Sequence, residues 1–275
     1  MTVTNAVETT MIWGTVSGAS MVGMVISLLL SVVLPIFLGI FIYKKTKAWV
    51  PAFFIGCGIF VGFAMILEQI CHAIVLTVTG SAIRDNIWLY AIYGGLAAAL
   101  FEECGRWIAM KFCLKKHLTR ENALMYGAGH GGIEAFLILG MSSMSNLLTA
   151  AMINGGLMEK TMTALEPAQQ EVTYHQLSVL WTTPAYQFYL APVERISAIA
   201  LQIALSILVY SAVKTGRKLH LAAAFGLHFA VDFLTVICAA AIPTWALELG
   251  LLLVVAVICV VVYQLVYVQM AEKKA

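Results

Sequence analysis

Charge is what this sequence has little of. Charged residues make up 11% of its 275 positions, against about 25% in soluble globular domains. Aspartate occurs only as Asp85 and Asp232. A soluble fold of this size needs a polar surface that such a composition cannot supply, so soluble enzymes and nucleic-acid binders are excluded. Disorder is excluded as well, because 61% of the residues are hydrophobic and the apolar content is far too high for a chain that stays unfolded. CxxC pairs are missing: Cys57, Cys71, Cys104, Cys113, Cys238 and Cys259 stand singly in or at the ends of apolar runs and read as small buried hydrophobes. The opening MTVTNAVETT carries Glu8 and no Lys or Arg. A secretory signal needs a basic segment before its apolar core, so the first apolar run is expected to be a retained span. Repeats and low-complexity segments are absent, and the net charge of +2 points to no acidic partner.

What the chain does have is long apolar runs, with a mean hydropathy of +0.92. A spanning helix needs roughly 20 mostly apolar residues. Seven runs qualify, at about 18–42, 50–79, 87–110, 122–150, 185–213, 219–240 and 243–269. The expectation is an all-α polytopic transmembrane bundle forming a single integral membrane domain over 1–275, embedded in the lipid bilayer of a cell membrane. Twelve of the sixteen basic residues fall on one side: Lys44, Lys45 and Lys47; Lys111, Lys115, Lys116 and Arg120; Lys214, Arg217 and Lys218; Lys273 and Lys274. Arg84 and Lys160 fall on the other, and Arg106 and Arg195 within spans. Basic loops stay in the cytoplasm, which puts the N-terminus outside and the C-terminus inside. The connection 151–184, with Glu159, Glu166, Pro167, Glu171 and His175, reads as a solvated outer loop with room for a short interfacial helix.

Ionisable side chains within a span are costly and mark a bundle interior or a water-filled cavity. Positions i and i+4 share a helix face, and four spans present a polar pair at that spacing: Glu68 and His72, Glu102 and Arg106, His130 and Glu134, His228 and Asp232. Depth sharpens this. Counted from the nearest cytoplasmic basic residue, Glu103 lies roughly 12 Å deep and His130 and His228 each roughly 15 Å deep. Glu134 and Asp232 lie one turn further in, and Glu194 is about 30 Å from Lys214, near the outer face. Glu102 and Glu103 point about 100° apart, so one can pair with Arg106 while the other faces a cavity. The glycines around His130 allow close helix approach and equally leave room for water. Asp232 suits the orientation of His228 one turn away. Glu68 with His72, and Glu194 with Arg195, read as structural pairs. Gln202 and Tyr126 are hydrogen-bonders without a sharper role.

Two histidines and one or two carboxylates at one depth suit the activation of water, by a Glu acting as general base and by His groups that hold a metal or stabilise an oxyanion. HExxH, GxGD and a Ser-His dyad in a GxSG-like setting are all absent, so serine, site-2-type and aspartyl intramembrane proteases match poorly. The ordered set Glu102-Glu103-x-x-Arg106, Tyr126-x-x-x-His130 and His228-x-x-x-Asp232 resembles the superfamily of type II CAAX prenyl endopeptidases and bacteriocin-processing relatives, which carry EExxxR, FxxxH and HxxxN. It looks most like the YhfC family, with PrsW as a neighbour. The run from His130 to Glu134 fits that branch, whereas the shortened first motif, Tyr126 and Asp232 depart from the CAAX pattern.

The resemblance covers roughly 50–240, the expected catalytic core. It implies a multi-pass bacterial plasma-membrane endopeptidase acting on a membrane protein or peptide. By the same resemblance Glu102 or Glu103 would activate water, His130 and His228 would stabilise the oxyanion or ligate a metal, and Asp232 would support His228, with Arg106, Glu134 and Tyr126 assisting. Zinc suits such ligands, and a metal-free glutamate mechanism stands beside it. Two readings from other classes remain: a non-catalytic immunity or scaffold protein, and a proton-coupled transporter, which would use such residues as a relay.

Overall fold

The computed structural model describes residues 11–270; Glu8, Lys273 and Lys274 lie outside the described residues. Among the described residues, seven helices are long and apolar enough to cross a membrane. They are α1 (Gly18–Thr46), α2 (Pro51–Thr79), α3 (Ile87–Cys113), α4 (Arg120–Asn154), α7 (Ala185–Thr215), α8 (Lys218–Ala239) and α9 (Thr244–Tyr267). Two shorter helices, α5 (Leu157–Met162) and α6 (Pro167–Thr182), fill the connection before α7. The fold is all-α, with no strand among the described residues.

Local sequence sets the ends of these helices. Ser17 accepts from Ser20 N at 3.0 Å to start α1. Pro51 occupies the first turn of α2, where its missing N–H costs nothing. Asn86 caps α3 through Trp88 N and Leu89 N, and Thr119 caps α4 through Asn122 N. Gly216, at φ +74°, ends α7 in a left-handed turn that favours glycine. Four spans carry a π-helical stretch: Val61–Glu68 in α2, Ala109–Cys113 in α3, Phe136–Gly140 in α4 and Tyr263–Tyr267 in α9. Such stretches are rare and often adjoin functional sites.

Helix α7 is the buried post of the bundle. In its most apolar window 72% of the residues are buried, against 17–33% in the other six spans. Helix α4 packs against α1, α2 and α7, α3 packs against α8, and α9 closes on α7. Lipid tails are as apolar as leucine, so close packing rather than water exclusion holds such a bundle together. The glycines of α4 serve that packing. A Cβ on Gly127 would stand 2.7 Å from Ile203 Cα of α7, and one on Gly132 2.5 Å from Pro35 Cβ of α1. One on Gly129 would run into the Phe53 carbonyl of α2. Of the two uses open to these glycines, close approach is the one seen.

The connection 151–184 departs from a plain loop. Pro167 starts α6, and Leu177, Leu180 and Trp181 recur at helical spacing to join an apolar cluster with Val16, Met24, Ala150 and Ile153. Asn154 ties this end to the start of the chain, accepting from Val16 N at 2.8 Å and donating to Val16 O at 2.9 Å.

Candidate functional site

The carboxylates and imidazoles expected at one depth meet between α3, α4, α7 and α8. From α3, Glu102, Glu103 and Arg106 are buried at 7%, 2% and 0% exposure. Adjacent residues leave a helix in different directions, and the two glutamates divide accordingly. Glu103 Oε1 accepts from Arg106 Nη1 at 2.6 Å and from His228 Nδ1 at 2.8 Å. Glu102 Oε2 accepts from His130 Nε2 at 2.9 Å and from Gln202 Nε2 at 2.9 Å. Its distance to Arg106 Nη2 is 4.0 Å.

From α4, His130 is fully enclosed, with its ring edge-on to Phe60 at a centroid distance of 5.2 Å. Its Nδ1 makes no hydrogen bond. Glu134, one turn on, accepts from Gln202 Nε2 at 2.8 Å and from Arg195 Nη1 at 3.1 Å. Tyr126 lies in the apolar core with its hydroxyl unpaired, so it supports His130 by packing.

Two residues of α7 join the site in a way that sequence reasoning did not assign. Gln202 is its hub: its amide nitrogen bridges Glu102 and Glu134, while its oxygen accepts from Arg106. A signal was available, because Gln202 stands twelve residues before Lys214, roughly 18 Å deep by helical rise and level with His130. Arg195 pairs with its neighbour Glu194, as expected, but also reaches inward to Glu134. The pair Glu68 and His72 is a contact within α2 at 3.2 Å, with His72 Nδ1 also bonded to Tyr93 Oη at 2.8 Å.

On α8 the support for His228 is distributed differently from the expectation. Its Nδ1 is held by Glu103, while Asp232 approaches Nε2 at 3.5 Å. His130 and His228, the two histidines expected as ligands, are held by different glutamates, Glu102 and Glu103. The trio whose ligand atoms lie within 4.8 Å of one another is Glu102, His130 and Glu134.

The cluster borders a cavity of about 230 Å³, walled by Glu102, Glu134, Arg195, Gln202, His228 and Asp232. A water takes up about 30 Å³ in the liquid, so several fit. A second cavity of about 420 Å³ between α2, α3 and α8 shares Asp232 and Thr235 with the first.

Charge is unbalanced here. Five carboxylates, on Glu102, Glu103, Glu134, Glu194 and Asp232, face two arginines, Arg106 and Arg195. Buried charge left uncompensated is expensive, so the surplus calls for bound protons or a cation. One imidazole and two carboxylates, with a polar cavity alongside, are a donor set that fits a zinc with a position open for water.

A family model described as YhfC intramembrane metalloprotease matches residues 30–261. A Bacillus subtilis (strain 168) protein described as "Uncharacterized membrane protein YhfC" is 41% identical over 222 residues, covering 78% of this chain and 83% of that protein. No solved structure matches the chain significantly.

Proposed function

The chain belongs to the YhfC intramembrane metalloprotease family, and on that premise we propose that it is an intramembrane endopeptidase, with residues 50–240 as its catalytic core and its basic end in the cytoplasm. It is a multi-pass membrane protein, and its substrate is a membrane protein or peptide. The observation that carries the reading is the polar cavity inside the helix bundle, walled by Glu102, Glu134, His228 and Asp232 and large enough for several waters. Hydrolysis within a bilayer needs such a place to hold water against acids and bases.

Glu102, His130 and Glu134 would hold a divalent cation, which when bound supplies Lewis acidity to polarise a carbonyl and acidify water. The other roles belong to the protein. Glu102 has one oxygen fixed by His130 and Gln202; its other oxygen takes the proton of the attacking water, with or without a metal. His228 is turned by Glu103 so that Nε2 addresses the cavity. Protonated, it donates to the oxygen that gains charge as the peptide carbonyl is attacked, and then to the departing amine. Asp232 beside that nitrogen steadies the imidazolium. Arg106 and Arg195 offset the carboxylates, so that the site keeps its shape between turnovers. Glu103, Arg106 and Gln202 are positioning residues, because they act through Glu102, Glu134 and His228.

The test compares protein termini in membranes from cells expressing wild type or Glu102→Gln. New termini near spans, seen only with wild type, are expected. Identical termini at equal protein levels would remove the peptidase reading and leave the scaffold one.

A further inference from the structure

A pocket of about 530 Å³ opens at the basic end, where α1, α4 and α9 meet, far along the helices from the carboxylate cluster. Lys45, Lys47, His117 and Arg120 line it. Its one acid, Glu121, is engaged by Arg120 Nε at 2.8 Å. Lys45 and Lys47 are exposed and make no ion pair among the described residues.

The pocket is built rather than incidental. Asn122, 5% exposed, accepts from Trp49 N at 2.7 Å and donates to the His117 carbonyl at 2.6 Å, joining the two loops that form the rim. Trp49 stacks on His117 with centroids 4.1 Å apart. Arg120 donates to the Tyr267 carbonyl at 3.0 Å and lies 4.5 Å over the ring of the same residue. Lys47 holds a left-handed turn at φ +57°, with its N–H on Tyr43 O at 2.8 Å. Hydrogen bonds and a ring hold the Arg120 guanidinium in place, the left-handed turn sets the direction of Lys47, and no step of the proposed hydrolysis uses them.

We propose that this pocket binds the phosphate of an anionic phospholipid headgroup. Cations gathered at the edge of the apolar belt attract acidic lipids, and a guanidinium with a pair of ammonium groups suits phosphate oxygens. The surroundings favour a lipid over a free phosphate: Phe37 and Phe41, eight and four residues before Lys45 and so on its face of α1, are half-exposed apolar side chains. Acyl chains lying on them would continue from a headgroup in the pocket. The lipid would add a further tie between the ends of three helices that Asn122, Arg120 and the Trp49–His117 stack already link there.

The experiment uses the full chain in nanodiscs of phosphatidylcholine containing phosphatidylglycerol. Lipid retained after detergent extraction is counted by native mass spectrometry, with 10 mM inorganic phosphate in a parallel arm. The variant Lys45→Gln/Lys47→Asn keeps a residue that tolerates the left-handed turn, and Lys115→Gln/Lys116→Gln serves as a charge-matched control. Wild type and control are expected to retain phosphatidylglycerol, and the Lys45/Lys47 variant to retain it roughly twentyfold less well. Phosphatidylglycerol is also expected to raise the unfolding midpoint of wild type and not of the variant. Equal retention by variant and wild type would overturn the proposal. Displacement of the lipid by inorganic phosphate would overturn it in favour of a free-anion site.

Discussion

Gln202 is the single residue whose removal reaches most of the site. Gln202→Leu strips one hydrogen bond from each of Glu102, Glu134 and Arg106, leaving buried charges under-paired at a cost of about 2–4 kcal/mol. A lower unfolding midpoint and loss of cleavage are expected together; an unchanged midpoint would contradict the hub role. Glu103→Gln is milder, because an amide oxygen still accepts from His228 but the charge facing the imidazolium is gone. A fall in kcat of about tenfold or more with KM little changed is expected, together with an altered pH profile. A fall through KM alone would place Glu103 in substrate binding instead. The ionisable members of this network were legible in the sequence because charge inside a span is rare enough to count. Gln202 was hidden because a neutral amide in a span carries no such alarm. Asp232 was visible as a partner of His228 because it shares its helix, whereas Glu103, the closer partner, comes from a neighbouring helix that no spacing rule connects.

At the scale of elements, α4 has the least tolerance. Its glycines face α1, α2 and α7 at once, so added volume at Gly129 must push against the α2 backbone. Gly129→Ala is expected to destabilise by about 2 kcal/mol or more, read as earlier unfolding in detergent. Gly226→Ala on α8, where a Cβ would meet nothing within 4 Å, should leave the midpoint unchanged. Metal content follows from the same helix. Glu134→Gln or His130→Ala should lower bound zinc from about one per chain toward none, while Glu68→Gln, on α2, should not. Metal bound equally by all four proteins would remove the Glu102, His130 and Glu134 assignment. The spans were legible because an uninterrupted apolar run of about 20 residues matches the thickness of a bilayer and little else, and the structural bounds fall within a few residues of those read from the sequence. The helical character of 157–182 was not, since its apolar residues pack against Val16 and Met24 at the far end of the chain, and nothing local announces that partner.

For the whole molecule, ten of the fourteen basic residues among those described lie at one end of the bundle, and cytoplasmic placement of that end makes a labelling pattern the check. Cys113, exposed at that end, should react with a membrane-impermeant maleimide in inside-out vesicles and not in intact cells. The reverse pattern would invert the topology. The polar cluster also bears on how the protein is made. Helix α3 is the least apolar of the spans, with a hydropathy of 1.2, and its two glutamates and arginine are paired only in part early on, Arg106 with Glu103 inside the helix and Glu102 with His130 of the next span, while their other partners come late. Gln202 follows Arg106 by 96 residues and His228 follows Glu103 by 125. At roughly 5–20 residues per second, α3 waits many seconds with charges worth about 3 kcal/mol each against lipid. The assembled site is therefore also the condition for the third helix to remain in the bilayer. A chain that stops before α7 should be a substrate for quality-control proteolysis rather than a smaller version of the bundle.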